Sequence, residues 1–291
     1  MSLERPSPCK VNLLLNILGR RVDGFHELET LLHPVRLCDH LAFDHQESGI
    51  TLTCNVPELP TDAGNLVHRA ASRFLDAARI TGGVRIHLEK RIPLAAGLGG
   101  GSGNAAVTLL GLNELFDSPL TDEQVNTIAA SLGSDVPFFL QDQPALATGR
   151  GEVITPLPPF PALRGYAFLL IHPGFGISTA WAYQQLAHFP EALRGRPGRA
   201  AELARRLGED PRSTASAEFY NSLEAPALRK FPLLVLFQEF LRANGAAAAL
   251  MSGSGSTTFA LVPEGTPAAE LEEKVRAKFG PCWTTVVPVT A

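Results

Sequence analysis

The chain has 291 residues, 45% of them hydrophobic and 19% charged, with a formal net charge of −4. That balance excludes a disordered chain, and the lack of a basic block or aromatic-basic stripe gives no footprint for nucleic acid. The length exceeds the size at which one core stops growing, so two domains are expected. Cys9, Cys38, Cys54 and Cys282 show no Cys-x-x-Cys spacing. This argues against a metal site or a disulfide scaffold and for reduced thiols in the cytoplasm. No apolar run reaches membrane-spanning length, and residues 13–18 are too few and too polar-flanked for a signal peptide.

In chain order, alternating apolar residues predict strands over 11–18 and 27–37, joined by the polar turn Gly19-Arg-Arg-Val-Asp-Gly24. Strand character continues over 41–44 and 50–54. Leu66, Ala70, Phe74, Leu75 and Ala78 recur at a helical period over 65–80, with Asp62 or Asn65 as the cap. A strand over 84–88 leads into Pro93-Leu94-Ala95-Ala96-Gly97-Leu98-Gly99-Gly100-Gly101-Ser102-Gly103-Asn104, with five glycines in the seven positions 97–103. A helix over 104–116 follows, Asn104 being a good cap. Thr121-Asp-Glu-Gln124 is a capping box that opens a helix to Leu132, which Gly133 stops. Residues 134–140 then read as the entry to a short strand.

Four prolines in the six positions 156–161 mark a linker. The domains are accordingly set at 1–157 and 158–291. Beyond it, a strand over 167–171 precedes helices over 179–186, 200–207 and 233–243. Strands over 246–251 and 257–262 flank the turn Gly253-Ser254-Gly255-Ser256, and a helix over 267–279 and a strand over 284–289 close the chain. This near alternation around a hairpin suggests an α+β sandwich. The short piece Arg194-Gly-Arg-Pro-Gly-Arg199 reads as a solvated loop.

Strand, glycine loop, helix is a recipe for holding phosphate: consecutive amides turn toward one centre, and the helix adds unpaired N–H groups and a positive dipole end. No lysine follows the glycines, so this is not a Walker A loop, and the spacing is not that of a dinucleotide fingerprint. A plain connecting turn remains the alternative. Lys10, at the start of the first strand, is either a snorkelling surface lysine or a charge for the phosphates. Asp135 is either a turn residue or a carboxylate pressed against Phe138 and Phe139, where it is poorly solvated and seeks a cation. Such a pair suits a kinase, because phosphoryl transfer is mostly positioning and charge stabilisation. Phe25 and His26 make either an ordinary hairpin turn or a stacking face beside a hydrogen-bonding edge. The turn over 253–256 is either a simple hairpin or a backbone nest reaching the same phosphates from the other domain.

Six segments, Lys10 to Leu15, Gly19 to Thr30, Pro93 to Ala106, Gly133 to Phe139, Pro173-Gly174 with Ser178-Thr179-Ala180, and Ser252 to Ser256, run across almost the whole chain. In this order the chain resembles the GHMP kinase superfamily. Through Gly19-Arg-Arg-Val-Asp-Gly-Phe-His26 it is similar, more narrowly, to the branch whose acceptor is a cytidine-diphosphate-linked methylerythritol. The resemblance implies a two-domain α+β fold, an N-terminal ribosomal-protein-like α/β domain and a C-terminal ferredoxin-like sandwich. It implies ATP-dependent phosphorylation of the acceptor's 2-hydroxyl in non-mevalonate isoprenoid synthesis, with Mg²⁺, by a cytoplasmic monomer or homodimer.

By motif position, the resemblance makes Lys10 and Asp135 the catalytic pair. It has Asn12 hold substrate, Phe25 and Tyr183 sandwich the cytosine, His26 read its edge, and Thr179 lie near the diphosphate. It wraps Pro93 to Gly103 around the ATP phosphates, joined by Gly253 and Ser254, with Asn65, Leu66 and Lys90 near adenine and ribose. Two departures stand out: Gly103-Asn104 replaces the usual Ser/Ala-Asp, and Phe25 replaces a common Tyr. Another small-alcohol GHMP kinase would share the loop and the pair without needing Phe25 and His26. A non-catalytic nucleotide-binding relative would be expected to have lost the acid or the lysine, and both are present.

Overall fold

The computed structural model describes residues 3–209 and 218–289. In chain order it runs β1 (Leu3–Arg20), β2 (His26–Gln46), β3 (Ile50–Cys54), α1 (Leu66–Ala78), β4 (Gly83–Glu89), α2 (Gly100–Leu115) and α3 (Asp122–Leu132). It continues β5 (Ala145–Gly149), β6 (Val153–Pro156), β7 (Tyr166–His172), α4 (Thr179–Gln185), α5 (Pro190–Leu193), α6 (Arg199–Glu209) and β8 (Tyr220–Asn221). The last elements are α7 (Glu224–Lys230), α8 (Pro232–Ala243), β9 (Ala248–Met251), β10 (Thr258–Pro263), α9 (Ala268–Phe279) and β11 (Trp283–Pro288). Two compact units interleave along the chain. One takes the described residues up to Cys9, Leu37–Ile92 and Gly99–Asp142; the other takes Lys10–Arg36, Pro93–Leu98 and the chain from Gln143.

In the first unit the C-terminal half of β2 pairs antiparallel with β4, from His40 opposite Glu89 to Gln46 opposite Gly83, and β3 lies parallel to β4. Helix α1 starts where Asn65 Oδ1 accepts from Val67 N at 3.0 Å, and it buries Val67, Ala70, Ala71, Phe74 and Leu75. Helix α3 carries the capping box at Thr121 and Gln124. Helix α2 begins at Gly100, four residues earlier than expected, so Asn104 lies inside it and does not cap it. Its cap is Gly99, at φ +71° and with no side-chain hydrogen bond. Glycine is a poor helix former, but packing of this turn overrides propensity. Residues 137–140 form a 3₁₀ turn and not a strand. Pro137 lacks the N–H a strand needs and suits a helix start.

In the second unit β2 neighbours β1 and its N-terminal half also pairs with β5, β5 pairs with β6 and β1 with β8, and a separate four-stranded sheet has the order β11-β7-β10-β9. Strand β7 pairs antiparallel with both β10 and β11, and its residues 168–171 are fully buried. That explains the unbroken apolar run in the sequence. Phe237, Leu241, Leu271 and Val275 of α8 and α9 join Leu169, Ile171, Ala249 and Met251 in the core. The short strands β5, β6 and β8 carry no periodicity long enough to be predicted. The proline-rich segment is anchored: Leu157 N donates to Pro144 O at 2.8 Å, and Phe160, Ala162 and Leu163 are buried. The segment read as a solvated loop is also pinned by its backbone. Gly195 N donates to Ile17 O at 2.8 Å, and Glu29 accepts from Gly198 N at 2.9 Å.

Candidate active site

The second unit gathers most of the predicted substrate residues. Lys10 lies inside β1, which begins seven residues before it and not at it, and its side chain is buried. Its ammonium donates to Asn12 Oδ1 at 2.6 Å and to Gly97 O at 3.0 Å. Asn12 in turn donates to Thr30 Oγ1 at 2.9 Å, which donates to Leu14 O at 2.6 Å. A lysine so held has a fixed charge, unlike a snorkelling one.

Gly97 has φ +76°, and a Cβ there would stand 2.1 Å from Ser252 O. Ser252 Oγ donates to Gly97 O at 2.9 Å, and Thr257 N donates to Ala96 O at 3.1 Å. A Cβ at Gly253 would stand 3.1 Å from the Lys10 ammonium. The start of the glycine loop, the late serine-glycine turn and Lys10 therefore meet in one place within one unit. Only glycine permits this backbone approach. Gly97→Ala is expected to lower stability by about 1–3 kcal/mol, from the positive φ and the overlap together. Thermal unfolding checks this; an unchanged Tm would mean the loop does not pack there.

The remaining residues predicted to bind substrate lie in the same unit. Ser178 caps α4, and Thr179 Oγ1 lies 2.8 Å from Ser254 Oγ. The Tyr183 ring, one turn further along α4, sits 5.0 Å from the His26 imidazole. Burial, and then the charge of Arg20, push the His26 imidazole below its ordinary value, which favours the neutral form. A neutral imidazole offers one donor and one acceptor. Phe25 is 53% exposed, with the Arg150 guanidinium 4.8 Å from its ring centroid. Arg150 is itself held by Glu152 at 3.1 Å. Phe25 N donates to Asp23 Oδ1 at 3.1 Å, which shapes the turn. Arg150 has no local signal in the sequence, because the β5–β6 turn that carries it follows from no apolar period.

The first unit holds the other residues. Asn65 Oδ1 caps α1 and its Nδ2 donates to Pro60 O at 2.8 Å, so both ends of its amide serve the fold. Leu66 Cδ1 lies 3.6 Å from where a Cβ on Gly101 would be. The Lys90 ammonium lies 3.2 Å from such a position on Gly100, beneath the first turn of α2, and pairs with Asp39. With no side-chain cap, the first-turn N–H groups of α2 are available to an anion, which fits a triphosphate. Asp135 is half-buried between Gly133, which ends α3, and the 3₁₀ turn. Phe139 Cδ1 lies 3.5 Å from a Cβ position on Gly103, which ties the segment carrying Asp135 to the first turns of α2. Among the described residues no group of three or more His, Cys, Asp or Glu is placed to hold a metal ion, and no helix is long and apolar enough to cross a membrane.

Comparison with known proteins follows the same lines. The model of the GHMP kinases N terminal domain matches residues 65–149, and that of the GHMP kinases C terminal domain matches residues 189–281. Fold and glycine loop thus define a GHMP kinase. A 4-diphosphocytidyl-2-C-methyl-D-erythritol kinase of a Synechococcus strain is 41% identical over 282 residues, covering 93% of this chain and 88% of the relative. One from a Geobacter strain is 40% identical, over 98% of this chain and 99% of its own. A crystal structure of 4-(cytidine 5′-diphospho)-2C-methyl-D-erythritol kinase superposes with a TM-score of 0.77 at 38% identity, over 98% of this chain and 99% of that one. The chain belongs to the 4-diphosphocytidyl-2-C-methyl-D-erythritol kinase family.

Proposed function

We propose that this chain transfers a phosphoryl group from ATP to the 2-hydroxyl of 4-diphosphocytidyl-2-C-methyl-D-erythritol, giving the 2-phosphate and ADP. The observation that carries it is the Lys10 ammonium, fixed beside Asn12, Gly97 and Gly253. A fixed cation there stabilises charge on the migrating group and favours ionisation of the attacking hydroxyl. Asp135 orients that hydroxyl or takes its proton. The glycine segment 97–103 receives the phosphates, with Asn65, Leu66 and Lys90 toward the nucleoside and Ser254 at the late turn. Mg²⁺ would accompany ATP and offset the charge of its phosphates. Phe25, His26 and Tyr183 receive the cytosine, and Thr179 the diphosphate. The protein works in the cytoplasm as a monomer or homodimer, with its domains divided at 157/158. The family matches, ending at 149 and resuming at 189, leave that boundary in the stretch between them, while the compact units cross it, the second also taking Lys10–Arg36 and Pro93–Leu98.

The direct test is a coupled ADP-release assay on the purified protein. Turnover on mevalonate or homoserine with none on the cytidine substrate would overturn the reading. Cytidine diphosphate should also raise the Tm of the protein. Phe25→Ala should remove most of that shift, since base–aromatic stacking contributes about 1–3 kcal/mol. An equal shift in both proteins would take Phe25 out of the site.

A further inference from the structure

Asp39, in β2, is fully buried and carries no motif in the sequence. Its Oδ1 accepts from the backbone N–H groups of Arg91 at 2.7 Å and Ile92 at 2.9 Å. Its Oδ2 accepts from the Lys90 ammonium and, at 2.9 Å, from Asn104 Nδ2. Asn104, also buried, accepts from Lys90 through Oδ1 at 3.2 Å and donates through Nδ2 to Ser7 Oγ at 2.9 Å. Residues 90–92 lie just past the end of β4, and Asn104 is the fifth residue of α2. One buried cluster therefore holds the chain where it enters the glycine loop and where it leaves it.

The chemistry of the cluster explains its residue types. An ammonium beneath a helix N-terminus is opposed both by desolvation and by the helix dipole. The Asp39 carboxylate offsets both. Asn104 touches both members of this pair. An amide serves both at once, with its NH₂ toward Asp39 and its oxygen toward Lys90. An aspartate at position 104 would instead set oxygen against oxygen at Asp39. The departure Gly103-Asn104 is thus matched to its surroundings, and a Cβ at 103 would stand 2.7 Å from Pro8 O.

We infer that Asp39 and Asn104 are positioning residues for the nucleotide: they clamp Lys90 and both ends of the glycine loop, so that the first-turn N–H groups of α2 face the phosphates. The inference rests on the reading of that loop as the ATP site. It is tested with Asp39→Asn, Asn104→Asp and the double exchange, titrating each protein with a non-hydrolysable ATP analogue by calorimetry alongside steady-state kinetics. Each single change should raise the analogue's Kd and the KM for ATP about tenfold or more, as expected for disrupting buried hydrogen bonds to charged groups. The KM for the acceptor should stay unchanged. The double exchange moves the carboxylate to position 104, where it can pair with Lys90. The amide then at position 39 keeps an oxygen to accept from the N–H groups of Arg91 and Ile92. The double exchange should return the Kd to within about threefold of the unaltered protein, a coupling that a merely additive loss of stability cannot produce. Singles that bind like the unaltered protein, or a double exchange no better than the worse single, would overturn the inference. Should the singles fail to fold, Ser7→Ala takes one acceptor from Asn104 and should raise the Kd roughly two- to fivefold. An unchanged Kd there would equally overturn it. Failure of the unaltered protein to bind the analogue would bring down the ATP reading itself, and the inference with it.

Discussion

Lys10→Met should lower kcat by about a thousandfold or more, the scale seen when one preorganised charge is removed from a transition state. Methionine keeps most of the volume and none of the charge. Lys10 is buried, and its ammonium is fixed by Asn12 Oδ1 and Gly97 O. The loss therefore falls on charge stabilisation more than on folding. Gly97 O keeps its bond from Ser252 Oγ, so the start of the loop stays held. The Kd of an ATP analogue should accordingly change by less than about tenfold, because the first-turn N–H groups of α2 are untouched. The coupled assay and calorimetry measure both quantities. A variant that keeps kcat within tenfold would remove Lys10 from the reaction.

Asp135→Asn should abolish measurable turnover while ATP still binds. Asparagine is nearly isosteric and can still be packed, but it carries no negative charge and cannot take a proton. A positioned base contributes about 10²–10⁴ in rate, and loss of hydroxyl orientation adds to this. The 3₁₀ turn that follows Asp135 is buried through Pro137, Phe138 and Phe139, so the backbone position should survive the change. Analogue binding and Tm are the controls. Retained activity would exclude Asp135 from catalysis. Loss of activity together with loss of fold would instead mark it as structural, and Asp135→Glu would separate the cases by leaving the charge and moving it.

Much of this site is legible in the amino-acid sequence alone, for a local reason. The glycine loop, the capping box at Thr121 and the residues Lys10, Asn12, Phe25 and His26 occur in short segments. Apart from the capping box, each segment matches a family motif in its own spacing, and it is the resemblance that assigns roles to Asn12, Phe25 and His26. The helix over 65–80 and the hairpin strands around 253–256 are equally plain, because apolar period and turn residues are local properties.

Three features are not legible there, and each depends on contacts far apart in sequence. Gly100–Gly103 form helix because the turn is seated on Ser7, Pro8 and Ile92, against the propensity of glycine. The 3₁₀ turn after Asp135 reflects Pro137 and the packing of two phenylalanines, which in an apolar run look like a strand. Asp39 is a single acid in a long strand, and its partner Lys90 lies 51 positions away. By itself the sequence determined which groups are on offer: glycine amides suited to phosphate, and, through the resemblance to the family, a lysine and an aspartate proposed for transfer and an aromatic and an imidazole proposed for a base. Only the tertiary structure decided how those groups are held, because a buried charge is fixed by whichever distant partner the fold brings to it.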